Sequence, residues 1–383
     1  MSCAWLFENL RVEPYGTLPL SNLNAKGGPS KLKDFRQVSS YNWAKSESDD
    51  HKPTMVIPGY PKEFVYWNGG HLPPDSGQMI YDLNHLLLPD GPMDPVFEAV
   101  KLTAQDAGQE VNFQEYDIIT DCINLRKIFA FCKGEDEGGV FRVDLERVGR
   151  MVIANRVEGA DVITIDFDSF DENMKKQCAK PLTPILDGPH YQIVSYKFGD
   201  INMLVRFETD CANYGDQRPV IDDSKRPEVN TFSYGSLAYM KMGQPTSAPL
   251  ISLTTFPQRR GFPSFAWPLL FFSGMQNMVV GWWQGNGDFE KPPASYNLQE
   301  INKLVKPIPY VSLSKVHDFL NKMIKFMRSN KEDLKIGLLW KGNQFIEIYE
   351  KASAAHSAIS ENVRQYLKNQ VVRYAQTEET KNK

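Results

Sequence analysis

Residues 191–210 read YQIVSYKFGDINMLVRFETD, two apolar runs separated by the turn residues Gly199 and Asp200. β-Branched and aromatic residues dominate both runs, which predicts strands. The second run ends in Glu208 and Asp210. Because side chains two residues apart on a strand share a face, we expect these two carboxylates to lie side by side where a strand leaves the core.

The rest of the chain predicts a strand-rich middle with helices packed on it. Strands are expected to dominate residues 116–210 and to continue in 229–243 and 248–256, with a strand pair in 335–351 turning at Gly342-Asn343. A helix is expected over 94–108, and a second in 314–330, where apolar residues recur at helical spacing: Val316, Phe319, Leu320, Met323 and Met327. This order of elements is typical of one α+β domain.

Three regions follow from composition along the chain. Residues 1–40 are polar and rich in turn residues and are expected to be an irregular N-terminal segment. Residues 41–375 form the predicted domain. Residues 376–383, which read QTEETKNK, are expected to be a disordered tail.

Composition excludes several classes of protein. The net charge of −4 over 383 residues rules out a chain-wide basic field, so nucleic-acid contact would need a local groove. Five scattered cysteines without a CxxC pair indicate reduced thiols. Without a signal-peptide pattern or a long apolar run, we expect a nuclear and/or cytoplasmic protein, neither secreted nor membrane-bound.

The chain lacks the common catalytic signatures. No nucleotide-binding P-loop, dinucleotide-binding GxGxxG, HExxH or GxSxG pattern occurs. His190 and His317 are expected to be packing or surface residues. Cys122 is a poor candidate nucleophile, since no histidine near it in the sequence would lower its pKa.

Two readings of Glu208 and Asp210 remain open. They can be solvated residues at a strand end, which is common for acids. They can also be ligands of a hard cation, because Mg²⁺ or Mn²⁺ prefers carboxylate oxygens and would activate water and offset charge on a phosphate. An ExD pair alone is a weak signal and needs further acids and a lysine or arginine from neighbouring strands.

A series of segments resembles the DXO family of RNA 5′-end decapping and quality-control proteins, its fungal branch above all. The segments cover roughly residues 40 to 350 in the family's order and read SYNWAKSESDDHKPTMVIPGYP (40–61), YDIITDCINLRKIF (116–129), FDSFDENM (167–174), SYKFGDINMLVRFETDC (195–211), APLISLTTF (248–256) and LLFFSGMQNMVVGWWQGNGDF (269–289). The resemblance implies a single domain of two packed, twisted, mixed β-sheets with helices outside. It also implies a pocket between the sheets where carboxylates hold divalent metal, Mg²⁺ or Mn²⁺.

Carried over residue by residue, the family's site is only partly present. The catalytic and metal-binding acids match Glu208 and Asp210, and a third falls on Asp171, with Glu172 next to it. Four other family positions hold uncharged residues: Cys122 for an arginine, Ser252 for a glutamate, Thr254 for a lysine and Leu269 for a glutamine. Each lost charge typically costs about 10²–10³ in rate. Because the glutamate missing at Ser252 would be a metal ligand, the resemblance also implies weakened or lost metal binding. The alternative is that the segment LISLTTF (250–256) aligns differently with the family, and that Asp222, Asp223 or Glu228 completes the site.

Two functions follow. The first is a catalytically impaired DXO-family protein that binds RNA 5′ ends, a partner such as a nuclear 5′→3′ exoribonuclease, or both. The second is an active metal-dependent decapping hydrolase with 5′→3′ exonuclease activity, removing triphosphate, incomplete or nicotinamide-dinucleotide caps. A structural role without RNA stays a third reading, and no DNA partner is expected. RNA contacts are assigned to the basic residues Arg126, Lys127, Arg206, Arg259 and Arg260.

Overall fold

The fold is known from a computed structural model of the chain. The structure describes residues 3–45, 52–134, 139–165, 168–222, 224, 228–229, 237–258, 261–263, 265–305, 309–352 and 356–381. Side chains are described as far as residue 372 within the last of these ranges.

The strands of the described residues are β1 (Leu10–Pro19), β2 (Leu32–Trp43), β3 (Thr54–Val56), β4 (Lys62–Phe64), β5 (Gly70–His71), β6 (Gln78–Ile80), β7 (Ile118–Asp121), β8 (Phe141–Val148), β9 (Met151–Val157), β10 (Val162–Thr164), β11 (Ala179–Lys180), β12 (His190–Phe198), β13 (Ile201–Thr209), β14 (Cys211–Ala212), β15 (Glu228–Val229), β16 (Ala238–Met240), β17 (Leu250–Pro257), β18 (Asn277–Trp283), β19 (Asp288–Phe289), β20 (Ala294–Asn297), β21 (Ile336–Trp340) and β22 (Phe345–Lys351).

The helices of the same residues are α1 (Leu83–Leu87), α2 (Asp94–Asp106), α3 (Cys122–Lys133), α4 (Asp171–Cys178), α5 (Ala266–Ser273), α6 (Leu298–Leu304), α7 (Tyr310–Ser329) and α8 (Glu361–Lys381). Short 3-10 turns lie at Cys3–Phe7, Leu20–Asn22, Phe113–Glu115 and Pro184–Asp187. None of the described helices is long and apolar enough to span a bilayer.

Two mixed sheets carry the fold. In the described residues, the larger has twelve strands in the order β1-β22-β21-β8-β9-β7-β13-β12-β2-β3-β16-β15. The smaller has six, in the order β11-β4-β14-β17-β18-β20. Parallel pairs occur in both, β13 with β7 in the larger and β17 with β18 in the smaller. The predicted α+β fold of mixed sheets with surrounding helices is confirmed.

The chain passes from the larger sheet to the smaller one at the end of β13. That strand ends at Thr209 and β14 begins at Cys211, so Asp210 alone separates the two sheets. The hydroxyl of Thr209 donates a hydrogen bond to the carbonyl of Ile251 on β17, 3.1 Å away. The predicted exit of a strand from the core is therefore a crossing between sheets.

One apolar core joins both sheets and four helices. It contains Val205 of β13 and Val280 of β18, together with residues of α3, α5, α6 and α7. The predicted apolar face of α7 is buried along its length, from Val316 to Met327. Burial of this kind is the main favourable term for the fold.

The N-terminal segment differs from its prediction. Residues 1–40 were expected to be irregular, yet β1 and most of β2 lie there and pair with β22 and β12. The side chains of β1 and of the first half of β2 are mostly exposed, so these strands carry few apolar residues. An exposed strand lacks the hydrophobic alternation by which strands are recognised.

The C-terminal tail also differs. Helix α8 continues to Lys381, through most of the segment that was expected to be disordered. Glutamate, lysine and glutamine are good helix formers, so a polar segment that follows a docked helix can extend it.

Candidate functional site at the junction of the sheets

Glu208 and Asp210 stand at the crossing between the sheets. Glu208 is paired with Tyr191 across β13 and β12 and exposes its side chain at the cleft. Asp210 is half-buried, and its Oδ2 accepts a hydrogen bond of 2.7 Å from the amide of Leu253 on β17. The carboxylates thus come from the connection that joins the two sheets.

Asp171 reaches the same place from helix α4. It is the first residue of that helix, which starts there because Asp75 accepts hydrogen bonds from the amides of Glu172 and Asn173 at 3.0 and 2.9 Å. Oδ1 of Asp171 accepts from the amide and the hydroxyl of Thr255, at 2.5 and 2.7 Å. Partial burial raises the pKa of Asp171, which these two hydrogen bonds oppose.

Strand β17 places the two uncharged family positions beside these acids. The hydroxyl of Ser252 is 3.3 Å from Oδ2 of Asp210, and the hydroxyl of Thr254 is 3.5 Å from Oδ1 of Asp171. The predicted positions therefore do meet the predicted acids. The resemblance to the DXO family implies a glutamate and a lysine at these two positions, whereas this site has two hydroxyls.

A lysine that sequence reasoning missed lies among the acids. Lys175, one turn after Asp171 on α4, places its Nζ 2.9 Å from Glu172 and 3.1 Å from Asp210. Although desolvation acts in the opposite direction, the carboxylates of Asp210, Glu172 and Glu208 hold the pKa of Lys175 well above its usual value. The Thr254 position therefore carries no charge, but a cation stands beside the acids all the same, supplied by helix α4.

The donor set does not fit a divalent metal. The two oxygens of Asp210 are engaged by Lys175 and by β17, and Oδ1 of Asp171 is engaged by Thr255. In the described residues, no three Asp, Glu, His or Cys side chains are grouped so that they could hold a metal ion. The assignment of Asp171, Glu208 and Asp210 as a metal site stays a prediction that this geometry does not support.

A cavity of about 180 Å³ opens beside Glu208. Its walls include Cys122 from the start of α3 and Leu269 from α5, so two of the four predicted uncharged positions line it. The volume leaves room for several water-sized groups. Burial raises the pKa of the Cys122 thiol to about 12, so this residue is no nucleophile at neutral pH.

Three arginines line the cavity, and two of them have carboxylate partners. Arg206 makes a two-pronged ion pair with Asp121, at 2.6 and 2.9 Å, and its side chain is only 3% exposed. Arg156 is paired with Glu158 at 2.6 Å and lies 3.8 Å from Asp82. The positive charges of both are neutralised within the protein.

Arg126 is the exception. Its Nε is buried without a hydrogen-bond partner, and its guanidinium lies 5.5 Å from the centre of the Phe265 ring. In the parts of the chain that the structure describes, no carboxylate lies within ion-pair distance of it. Burial lowers the pKa of Arg126, although an arginine stays charged at neutral pH. Among the described residues that line the cavity, Arg126 is thus the one cation without an ion-pair partner.

The comparisons with known proteins agree with this fold. A family model described as "Domain of unknown function (DUF8563)" matches residues 26–230, more than half of the chain. The chain belongs to the DUF8563 family. No curated protein sequence matches it.

Solved structures of fungal proteins are similar in fold to this DUF8563 protein. Schizosaccharomyces pombe Rai1 matches with a TM-score of 0.58 and 10% identity, over 88% of this chain and 99% of its own. Candida albicans Rai1, solved in complex with pU5 and Mn²⁺, matches at 0.54 and 12%, over 93% and 99%. Kluyveromyces lactis Dxo1, solved with manganese, matches at 0.54 and 9%, over 91% and 98%. The DXO-type fold, and the likeness to fungal members, are confirmed.

The residues predicted to contact RNA have different surroundings in the DUF8563 chain, and the contacts themselves stay a prediction. Arg126 lines the cavity and is unpaired, whereas Arg206 lines it but is bound to Asp121. Lys127 forms an ion pair of 2.5 Å with Glu158 and is not among the lining residues. Arg259 and Arg260 lie outside the described residues. Arg126 is therefore the candidate contact that the geometry favours.

Of the alternative acids, the described one, Asp222, does not complete the site. The carboxylate of Asp222 is exposed and accepts a hydrogen bond from the amide of Ser224 in its own loop. Asp223 and the side chain of Glu228 lie outside the described residues.

His190 is a buried packing residue, as expected, and burial lowers its pKa to about 3. His317 is hydrogen-bonded to Asp200 near the surface.

Proposed function

We propose that this protein is a catalytically impaired member of the DXO group that binds RNA 5′ ends. The observation that carries the proposal is the cavity at the sheet junction, where Arg126 is an unpaired cation beside an acid site that lacks two of its charged groups. A phosphate is the natural partner of such an arginine, whose planar fork can bind it in two places.

The likeness in fold supports RNA as the ligand. The Candida albicans Rai1 structure contains a 5′-phosphorylated oligouridine, pU5, with Mn²⁺. The ring of Tyr191 also lines the cavity, but it is buried and stacked on Tyr41, so the proposal rests on the cation and the fold and not on base stacking.

Impaired catalysis follows from the missing charges. Hydroxyls replace the charged groups at Ser252 and Thr254, and the cavity wall has Cys122 and Leu269 where the family has polar groups. Removing one group that stabilises charge in a transition state costs about 10²–10³ in rate. Such effects are not additive, but several in one site should leave little turnover.

Binding and turnover can be tested on the same set of RNAs. Short RNAs with a 5′-hydroxyl, monophosphate, triphosphate, unmethylated cap, methylated cap or nicotinamide-dinucleotide cap are incubated with the purified protein in Mg²⁺ or Mn²⁺. We expect saturable binding of 5′-phosphorylated RNA, weaker binding of the hydroxyl form, and no release of cap or mononucleotide. Equal affinity for the hydroxyl and phosphate forms would exclude the cavity as a 5′-end site.

A decapping hydrolase is the second candidate. One observation favours it: Glu208 keeps no ion-pair partner among the described residues and lies beside Asp210 and a lysine. Turnover that disappears when Glu208→Ala and Asp210→Ala are combined would establish this function and remove the first.

We further propose that the protein acts in the nucleus or cytoplasm, and that a 5′→3′ exoribonuclease is a candidate partner. The partner is testable by mixing purified components. Co-elution with a nuclear 5′→3′ exoribonuclease, or slower thermal inactivation of that enzyme in the mixture, is the expected result. Independent elution and an unchanged inactivation rate would remove the partner.

A further inference from the structure

Lys175 makes contacts that an ordinary surface lysine does not. Its pairing with Glu172 is a local helical contact of residues three apart, and such pairs are common and weak. Its pairing with Asp210 is different, because that acid belongs to the crossing between the sheets and its side chain is only 14% exposed. The ammonium therefore ties helix α4 to the junction.

Two acids of the site, Asp171 and Asp210, are hydrogen-bonded or ion-paired to groups of the protein itself. Asp210 is bound by Lys175 on one oxygen and by the amide of Leu253 on the other. Asp171 is bound by two donors of Thr255. A hard cation needs these same oxygens, at 2.0–2.6 Å for Mg²⁺ or Ca²⁺. An ion that used both Asp210 and Oδ1 of Asp171 would have to displace the lysine and break bonds to β17.

We propose that the ammonium of Lys175 is a built-in substitute for a divalent cation, so that the site keeps its acids folded together without metal. The charged group is attached to the chain one helical turn from Asp171, so it is present at high local concentration and cannot be removed by chelation. The proposal has one consequence for RNA: binding of RNA 5′ ends should not require metal. Only this consequence rests on the function proposed above.

The decisive experiment measures Mn²⁺ binding rather than activity. Free Mn²⁺ is followed by electron paramagnetic resonance during titration of the wild-type protein, Lys175→Met and Lys176→Met. Lys176 is the matched control, because it is the next residue on α4, is exposed, and contacts only the side chain of Asn173 among the described polar partners. We expect no saturable uptake by the wild type or the control. Lys175→Met should gain a site that binds Mn²⁺ about tenfold or more tightly than the wild type does, because the positive charge next to the acids has been removed.

Two further variants keep the test decisive. Adding Asp210→Asn to Lys175→Met should abolish the gained site. If Lys175→Met does not fold, as judged by circular dichroism, Lys175→Gln and the wild-type titration decide. Tight Mn²⁺ binding by the wild type that Asp210→Asn removes would overturn the substitution, as would a folded Lys175 variant that gains no affinity.

The RNA measurement separates this proposal from the proposed function. Wild-type affinity for 5′-phosphorylated RNA should be the same in EDTA and in Mn²⁺. Binding that appears only with Mn²⁺ would overturn the role of Lys175. An absence of RNA binding in both conditions would refute the proposed function, while the Mn²⁺ titration would still decide on Lys175.

Discussion

Arg126 offers a sharp test of the cavity, because its guanidinium is partly buried and has no ion-pair partner among the described residues. Its Nε is buried without a partner, and its guanidinium packs near Phe265. A ligand phosphate would therefore meet an arginine that has already lost part of its hydration. Replacing it by Arg126→Gln removes the charge and keeps a polar side chain of moderate length.

The magnitude follows from the bond that is lost. A hydrogen bond to a charged group contributes about 1.5–3 kcal/mol, and 1.4 kcal/mol corresponds to about a tenfold change in affinity. We expect Arg126→Gln to weaken binding of 5′-monophosphate RNA by about 10- to 100-fold. Binding of 5′-hydroxyl RNA should change much less, because it lacks the terminal phosphate.

Fluorescence anisotropy at several salt concentrations measures both effects. Loss of one phosphate contact on single-stranded RNA should reduce the slope of log affinity against log salt by about 0.7. Lys127→Gln is the matched control, because it makes the same change of charge at the next residue of α3 in a side chain already paired with Glu158. The control should keep the affinity and shift the salt slope little.

The reasoning would be refuted by two results. One is an Arg126→Gln protein that folds normally and binds 5′-monophosphate RNA as tightly as the wild type. The other is an equal loss in Lys127→Gln, which would show that general surface charge, and not the cavity, holds the RNA.

Two predictions concern stability. Asp121→Asn leaves the buried guanidinium of Arg206 without its counter-charge. We expect the free energy of unfolding, measured by urea denaturation, to fall by about 3 kcal/mol or more. A loss below about 1 kcal/mol would contradict a buried pair. Burial raises the pKa of Asp94 to about 7, from a usual value near 4, so the folded state binds the extra proton and stability should fall as pH rises from about 4 to about 7. Asp94→Asn keeps an acceptor for the amide of Ser360 and should lose less stability than the wild type between pH 5 and pH 8; equal losses would refute the assignment.

The sequence predicted the parts of the site that lie on buried strands. Apolar runs mark β13 and β17, and strand periodicity then orders Glu208, Asp210, Ser252 and Thr254 along them. The resemblance supplied the neighbourhood of those strands, and the hydrogen bonds of Ser252 and Thr254 place them as it implied. Tertiary contact between distant strands could not come from periodicity alone.

Pairing of charges could not be predicted in the same way. A Glu-x-x-Lys spacing on a helix is ordinary surface pattern, so nothing in residues 171–178 marks Lys175 as a partner of Asp210. Arg206 and Arg126 look equivalent in the sequence, yet Asp121 pairs with the first and no described carboxylate pairs with the second. Which arginine is free depends on side chains brought together only by the fold.

The acid cluster and the cavity therefore differ in whether their charges are paired within the protein. On the acid side, Lys175 supplies positive charge from inside the protein, so attraction for an external cation is reduced. On the cavity side, Arg126 keeps its charge unpaired, so attraction for an external anion persists. Hydrolysis of a phosphate ester needs both attractions in the same place, whereas holding a phosphate needs only the second. Internal neutralisation of the acids, together with an arginine that no described carboxylate pairs, therefore favours the proposed binding of an RNA 5′ end over its cleavage.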